Sequence, residues 1–255
     1  ILVLIVAWGF GGFLEAIAGF GTAVAIPASI LAALGFDPIF AAIICLIANT
    51  TPTAFGAIGL PVTTLAKVAS IDPVTLSYAV GLQLFVLIVI LPLILVMLTG
   101  KSMKAIKGVV FISIASGLAF ALPELLVAKY LGAELPALIG SIICIIVTVT
   151  IAKVFYKKTA AKDAVKVPVK KALLAWIPFI LILAFILITS TLVPAINKPL
   201  SAIKTSIQIY TGPHAKLSTF TWIANPGTLI ILATFIGGLI QGAKSSEIVK
   251  VFTDT

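Results

Sequence analysis

The residues best suited to chemistry lie early in the chain, inside segments that are otherwise apolar. Glu15 is a lone carboxylate in one such segment, and the polar run Asn49-Thr50-Thr51, followed by Pro52, interrupts another. A charged side chain such as Asp at the centre of a membrane costs about 2.5–3.5 kcal/mol on the mild insertion scale, so a carboxyl there favours its protonated form. Glu15 is therefore predicted to carry a proton. A position near the membrane interface, or at a helix end, is the alternative interpretation.

Composition shows what must position these residues. Hydrophobic residues make up 61% of the chain, charged residues 10%, and the mean hydropathy is +1.28, whereas a soluble domain carries roughly 25% charge. A polytopic, all-α membrane protein is predicted. The 17 basic residues are all Lys and fall in short clusters between apolar runs, which is typical of topology signals and not of a nucleic-acid surface. Cys45 and Cys144 have neither metal-ligand nor redox spacing, so no metal, cofactor or catalytic residue is expected.

Two apolar arms precede the first polar break. Ile1–Ala18 and Thr22–Leu34 are joined by Gly19-Phe20-Gly21, and each arm is at the short end for a crossing, which takes about 20 residues. The pattern fits a re-entrant helical hairpin as well as two spans. Small residues also let helices pack closely in lipid, so these glycines serve either helix packing or the shape of the hairpin tip.

The next apolar run, Pro38–Ala66, is long enough to cross a membrane but contains the break at Asn49–Pro52. Pro52 has no N–H and disfavours helical backbone at Thr51, while Asn and Thr side chains can cap a new half-helix. A discontinuous helix is predicted, with its second half beginning near Thr53.

Further apolar spans form a scaffold. They are expected at Thr75–Leu98, Gly108–Leu122, Ala137–Ala152, Ala172–Ser190 and Pro226–Ala243. Glu124 is placed in the connection between the second and third of these spans. The most basic loop, 153–171, carries seven Lys against one Asp, and the positive-inside rule makes it cytoplasmic. The domain division predicted is a transport core over 1–67 and further transmembrane helices over 68–255.

With this topology the hairpin opens to the cytoplasm, and its tip approaches the helix break. A half-helix that starts inside the membrane presents free N–H groups and the positive end of its dipole, which attract a small anion such as a carboxylate. Because the chain has no Arg, backbone N–H groups and polar side chains must hold the anion. The candidate binding residues are Gly19, Gly21, Thr22, Asn49, Thr50, Thr51 and Gly56.

Several runs of sequence match the pattern of one known protein family. The most specific are GFLEAIAGFGTAVAIPASILAALGFDP (12–38) and LIANTTPTAFGAIGLPV (46–62), and they are accompanied by YLGAELPALIGSI (130–142), AWIPFILI (175–182) and NPGTLIILA (225–233). Together they resemble the bacterial L-lactate permease family over most of the chain. Family members are roughly twice as long, so the resemblance identifies a central fragment. The family pattern covers Glu15, Gly19, Gly21, Thr22, Asn49, Thr50, Pro52 and Gly56, and departs at Ala23, where proline is expected.

The resemblance implies proton symport of L-lactate, glycolate or a related 2-hydroxymonocarboxylate across the bacterial cell membrane. It also implies a transporter built from inverted repeats with re-entrant hairpins and broken helices. The partners are then the carboxylate, the proton, the lipid bilayer and the rest of the transporter chain. Nucleic acid is not expected, and a homo-oligomer is left open.

Three alternatives remain. A sodium-coupled carrier of other carboxylates shares the hairpin and broken-helix plan, with carbonyls at Asn49–Pro52 holding the ion. A passive channel differs by its failure to accumulate solute. A membrane enzyme is disfavoured, because the single His214 has no evident acid or nucleophile partner.

Overall fold

The computed structural model describes residues 1–19, 21–156, 168–190, 193–209, 211–212 and 217–254. The chain forms two compact units, Ile1–Lys162 and Asp163–Thr255. Helices dominate both units, as the composition predicts. His214 and the middle of the basic loop lie outside the described residues.

The first unit opens with a helical hairpin. A π-helix, Leu4–Phe10, continues directly into α1 (Gly11–Ile17), and α2 (Thr22–Ala33) follows the turn. The two arms lie close together, because a Cβ added at Gly11 would stand 3.4 Å from the Ala23 carbonyl oxygen. The helical hairpin is therefore present, while its re-entrant position in a membrane stays a prediction.

The broken helix is also present. α3 (Pro38–Asn49) is followed by a 3₁₀-helix (Pro52–Phe55) and by α4 (Gly56–Ala69), with a bend of 63° across the break. Asp37 begins α3 by accepting a hydrogen bond from the Phe40 N–H at 2.8 Å, as an N-cap should.

The start of the second half-helix differs from the prediction near Thr53. Ala57, Ile58 and Gly59 have left-handed backbone, with φ of 44°, 60° and 68°. The right-handed helix therefore resumes only after Gly59. The 3₁₀-helix Pro52–Phe55 and this left-handed turn therefore separate α3 from the resumed right-handed helix.

Among the described residues of this unit, three helices are long and apolar enough to cross a membrane. They are α5 (Pro73–Thr99), α6 (Val110–Leu131) and α7 (Pro136–Phe155), with a short 3₁₀-helix, Met103–Ile106, before α6. Asp72 starts α5, where its Oδ2 accepts from both the N–H and the hydroxyl of Thr75 at 2.8 Å. These two donors hold the pKa of Asp72 below its usual range.

One boundary was predicted wrongly. Glu124 was expected in a connection after Leu122, but α6 continues through Pro123 as far as Leu131. Proline is tolerated within membrane helices because neighbouring groups satisfy the freed backbone. Glu124 therefore lies inside a spanning helix and not in a loop.

Packing around α6 holds the unit together. Trp8 and Phe120 are fully buried, with ring centroids 5.0 Å apart. α6 and α7 are also joined by a polar contact, in which the Thr148 hydroxyl donates to the Ser116 hydroxyl at 2.9 Å. The glycine positions let the helices approach, since a Cβ at Gly117 would stand 2.5 Å from a backbone oxygen of α5.

The second unit contains α8 (Val169–Thr189), α9 (Pro194–Ala202), α10 (Pro226–Ile240) and α11 (Ser245–Asp254). Between α9 and α10 the chain forms two antiparallel strands, β1 (Lys204–Ile207) and β2 (Ser218–Thr221), with Lys204 opposite Thr221. The all-α expectation therefore describes the membrane helices and misses this small hairpin. α8 and α10 pack closely, and the Gln241 side-chain amide donates to the Leu174 carbonyl at 2.9 Å.

Candidate functional site

Glu15 is the carboxyl at the centre of the candidate site. It lies on α1, only 4% exposed, and its Oε1 rests directly on Gly56, at the start of α4. A Cβ on Gly56 would stand 3.0 Å from Glu15 Cδ and 3.1 Å from Cγ. The absence of a side chain at Gly56 therefore makes room for the carboxyl.

Asn49 joins the same carboxyl to the end of α3. Its side chain interacts with the Glu15 carboxyl, and its Nδ2 donates to the Thr53 hydroxyl at 3.3 Å. The Thr53 hydroxyl in turn donates to the Asn49 carbonyl. An amide nitrogen carries two N–H donors, so Asn49 can serve both partners and connect the carboxyl to the break.

The hairpin tip reaches the same region. Gly19 is buried with a φ of +58°, and a Cβ there would stand 3.0 Å from Ala57 Cβ and 3.2 Å from Ala57 N. The hairpin turn therefore contacts the broken helix at Ala57, within the left-handed turn, whereas the predicted approach was to Asn49–Pro52. Only glycine combines this backbone conformation with so close a contact.

Several polar atoms at this site have no partner among the described residues. They are Glu15 Oε2, Asn49 Oδ1 and Thr51 Oγ1, all of them buried, and Thr51 as a whole is only 3% exposed. Buried polar groups are nearly always hydrogen-bonded in folded proteins. A region with three such atoms is therefore suited to a solute or ion that supplies the missing contacts.

Two other predicted site residues, Gly21 and Thr50, are not buried with this group. Gly21 is exposed, with nothing within 4 Å of an added Cβ. Thr50 is exposed and its hydroxyl donates to the Ile47 carbonyl of its own helix at 2.8 Å. The backbone of Thr22 begins α2, while its side chain lies outside what the structure describes.

Sequence reasoning missed the left-handed turn at Ala57–Gly59. Each non-glycine residue in this conformation costs about 1–2 kcal/mol, so the surrounding contacts must hold it. Gly59 provides one such contact, because its Cα lies against the backbone of Ala133 in the turn between α6 and α7. The available signals were Gly59, which permits a positive φ, and Pro61, which restricts the residue before it.

The arrangement can exchange a proton and bind a small solute. Protonated, Glu15 offers one O–H donor; ionised, it accepts hydrogen bonds or contacts a cation. The part of the chain that the structure describes contains no group of three or more His, Cys, Asp or Glu suited to a metal ion. The chemistry of the site therefore rests on one carboxyl, one amide, one hydroxyl and backbone at two glycines.

Comparison with known proteins places this geometry in a family. The family model for L-lactate permease matches residues 1–255. The chain is 60% identical over 249 residues to an L-lactate permease of Streptococcus iniae, covering 97% of this chain and 52% of that protein. It is 30% identical to an L-lactate permease of Escherichia coli (strain K12), covering 99% of this chain and 52% of that protein.

A glycolate permease of Escherichia coli (strain K12) is 39% identical over 157 residues, which cover 61% of this chain and 28% of that protein. No solved structure matches. The matches to the two L-lactate permeases cover nearly all of this chain, and the chain spans about half the length of those two proteins. The apolar spans, the helical hairpin and the broken helix thus agree with a membrane transporter, and the chain belongs to the L-lactate permease family.

Proposed function

We propose that the full-length protein imports L-lactate or a related 2-hydroxymonocarboxylate, such as glycolate, together with a proton across the bacterial cell membrane. The single observation that carries this proposal is the buried Glu15 carboxyl, held against Gly56 and Asn49 with one oxygen unpaired. The names of the relatives, L-lactate permease and glycolate permease, support the class of substrate.

Electrostatics link the proton to the substrate. Two carboxylates that share a buried site repel each other, so one of them favours its protonated form. A lactate anion therefore binds beside Glu15 most readily when Glu15 is neutral. In that state the Glu15 O–H can donate to the substrate, and loss of the proton on the cytoplasmic side weakens substrate binding and promotes its release.

The other groups of the site complement a 2-hydroxycarboxylate. Asn49 offers an amide carbonyl that can accept from the substrate hydroxyl, and Thr51 offers a hydroxyl that can donate or accept. Both atoms are buried and unpaired among the described residues. Gly56 leaves room for the Glu15 carboxyl, and Gly19 lets the hairpin turn approach Ala57 closely. These four residues and Glu15 form the proposed site.

Transport also needs movement of the site between the two faces of the membrane. In this proposal the hairpin and the broken helix move relative to the scaffold of α5, α6 and α7, between two states of similar free energy. The remaining part of the full-length chain completes an inverted repeat. Gly21, Thr22 and Thr50 belong to the substrate pathway in the opposite state.

The first test measures the pH inside lipid vesicles that contain the full-length protein, after L-lactate is added outside at zero membrane potential. We expect saturable internal acidification that excess glycolate competes away. Folded protein that takes up L-lactate without any acidification contradicts proton symport.

A second test isolates Glu15. Glu15→Gln preserves the shape of a neutral carboxyl but cannot ionise, so exchange of internal for external L-lactate should continue while proton-driven net uptake is lost. Glu247→Gln is the matched control, because Glu247 is exposed on α11 and only accepts from the Lys244 N–H at 2.9 Å. Full lactate-driven proton uptake by Glu15→Gln would show that Glu15 does not carry the proton.

The second candidate is a sodium-coupled carboxylate carrier. The unpaired oxygens of Glu15, Asn49 and Thr51 favour it, since oxygen ligands suit hard cations and unwound helices hold sodium in other transporters. Sodium-dependent uptake without internal acidification would select this candidate over proton symport.

A further inference from the structure

A second buried carboxyl lies within the membrane-spanning part of the first unit. Glu124, on α6, is only 1% exposed, and neither of its oxygens has a hydrogen-bond partner among the described residues. No hydrogen bond joins Glu124 to Glu15 or Asn49 among the described residues.

The apolar surroundings of Glu124 determine the protonation state of its carboxyl. An isolated ionised carboxylate in an apolar interior loses its hydration without compensation, and such a group takes up a proton instead. Even the neutral acid lacks the hydrogen bonds that buried polar groups usually make. Glu124 therefore costs stability at this position, and an ionisable residue placed at such a cost inside a membrane marks a functional role.

The packing contacts show how α1 runs relative to α6. A Cβ on Gly9 would stand 2.8 Å from Ile145 Cγ1, and one on Gly12 would stand 3.7 Å from Ser141 Cβ. The π-helix and α1 therefore run antiparallel to α7. α6 is also antiparallel to α7, because Ser116 pairs with Thr148 while Phe120 faces Gly140, whose added Cβ would stand 2.9 Å from the Phe120 oxygen. α1 and α6 thus run in the same direction.

This register places the two carboxyls at a similar level. A Cβ on Gly12 would stand 2.7 Å from the ring of Phe120, so these residues mark a common height. With a rise of about 1.5 Å per residue, Glu15 lies about 4.5 Å beyond Gly12 and Glu124 about 6 Å beyond Phe120. The two carboxyls therefore lie within one helical turn of each other along the helix direction.

Other titratable groups on the helices around Glu124 have contacts or positions of their own. Tyr78 on α5 lies near Lys129 of α6, whose Nζ is 5.5 Å from the centre of the Tyr78 ring. Cys144 on α7 contacts the Ser116 hydroxyl at 3.3 Å. Asp72, which caps α5, is exposed, and Glu134 lies in the turn between α6 and α7. None of these groups forms a hydrogen bond with the Glu124 carboxyl among the described residues.

We propose that Glu124 is a second proton-binding carboxyl of this transporter, distinct from Glu15 and held as the neutral acid in the conformation described. This proposal deepens the proposed function and rests on it for the role in transport. In the opposite conformation water reaches Glu124, whose O–H bond breaks to give a carboxylate and a hydronium ion. The reverse step restores the neutral acid before the helices close around it.

The protonation state can be tested without any assumption about transport. Dicyclohexylcarbodiimide, an apolar reagent, adds to protonated carboxyls inside membranes: the carboxyl oxygen bonds to the carbodiimide carbon, and the proton moves to a nitrogen. In the full-length protein in lipid vesicles at neutral pH, peptide mass spectrometry should find the adduct on Glu124 and not on the exposed Glu247. This measurement needs no variant, so it stands even if Glu124→Gln does not fold.

Infrared spectroscopy gives an independent result. The carbonyl band of a protonated carboxylic acid should be present in the wild-type protein and reduced in Glu124→Gln. Equal acid bands in the wild type and in folded Glu124→Gln would overturn the proposal, because Glu124 would then be ionised. Absence of the carbodiimide adduct at Glu124 would likewise contradict the proposal that Glu124 is held as the neutral acid.

The role in transport is tested with the same variant. Glu124→Gln should retain exchange of internal for external L-lactate and lose net uptake driven by a pH gradient, while Glu247→Gln resembles the wild type. Net proton-driven uptake at the wild-type level in Glu124→Gln would overturn the coupling role. If the wild type instead proves sodium-coupled while Glu124 carries the carbodiimide adduct, the proposed function fails and the neutral state of Glu124 stands.

Discussion

Replacement of Gly56 by Ala is the sharpest test of the contact at the centre of the site. Gly56 has φ −67° and ψ 163°, a conformation that alanine adopts without strain. The added Cβ, however, would lie against Glu15 Oε1 and within 3.0 Å of Cδ and 3.1 Å of Cγ. Since carbon atoms pack best at about 3.5–4.0 Å, the carboxyl must retreat by roughly 0.5–1 Å.

The expected effect is on transport more than on folding. The atoms displaced are the far end of a flexible side chain, so the stability cost should stay below the usual overpacking range of about 1–3 kcal/mol. A misplacement of about 1 Å in a reacting group can cost about 10²-fold in rate. We therefore expect Gly56→Ala to lower pH-driven L-lactate uptake by up to about 10²-fold, measured per folded molecule in lipid vesicles.

Gly117→Ala is the matched control. Its Cβ would stand 2.5 Å from the Val89 carbonyl oxygen and 2.8 Å from Val89 Cα, which are backbone atoms of α5 that cannot rotate away. This variant should lose about 1–3 kcal/mol of stability while each folded molecule transports at nearly the wild-type rate. Wild-type uptake and pH dependence in folded Gly56→Ala would refute the argument that Glu15 acts from its position on Gly56.

Three further predictions concern the elements that support the site. Gly59→Ala should destabilise the protein by about 1–3 kcal/mol in thermal unfolding, because its φ is +68° and its Cα lies against Ala133; an unchanged melting temperature would show that the left-handed turn is not formed. Asn225→Ala should cost about 0.5–2 kcal/mol, since the Asn225 side chain accepts from the Gly227 N–H at 2.9 Å as the N-cap of α10, whereas Asn225→Asp should retain the cap. Because folding lowers the pKa of Asp72 from its ordinary 3.8, the ionised carboxyl stabilises the fold at pH values above 3.8, and this stabilisation is lost as the pH falls through the lower pKa of the folded state. Asp72→Asn should therefore make the free energy of unfolding depend less on pH in the acid range. An unaltered pH dependence of unfolding would contradict this role of Asp72.

The helix break illustrates how far local rules extend. Pro52 and the polar residues before it correctly predicted a discontinuous helix, because a missing N–H and a restricted preceding residue act locally. The bend of 63° follows from that break. The left-handed turn at Ala57–Gly59 was not predicted, because its cost is offset only by contacts with segments distant in the chain, such as Ala133.

At Glu124 the sequence analysis ended a helix too early. The predicted spans Gly108–Leu122 and Ala137–Ala152 placed Glu124 in the connection between them. The structure continues α6 to Leu131, since packing against α5 and α7 stabilises a helix that local propensity would end. The burial of Glu124 thus depends on tertiary contacts that the order of residues along α6 does not reveal.

The sequence by itself determined the class of protein, the short apolar arms, the broken helix and the lone carboxyl at Glu15, because hydropathy, chain length and proline geometry act within one segment. Only the tertiary structure decided which of these features meet. It placed Glu15 against Gly56 and Gly19 against Ala57, and it left Gly21 and Thr50 exposed. It also brought Glu124 to about the same level as Glu15 along the helix direction. Contacts of this kind depend on how helices far apart in sequence pack, and close packing at glycine, not local preference, selects them.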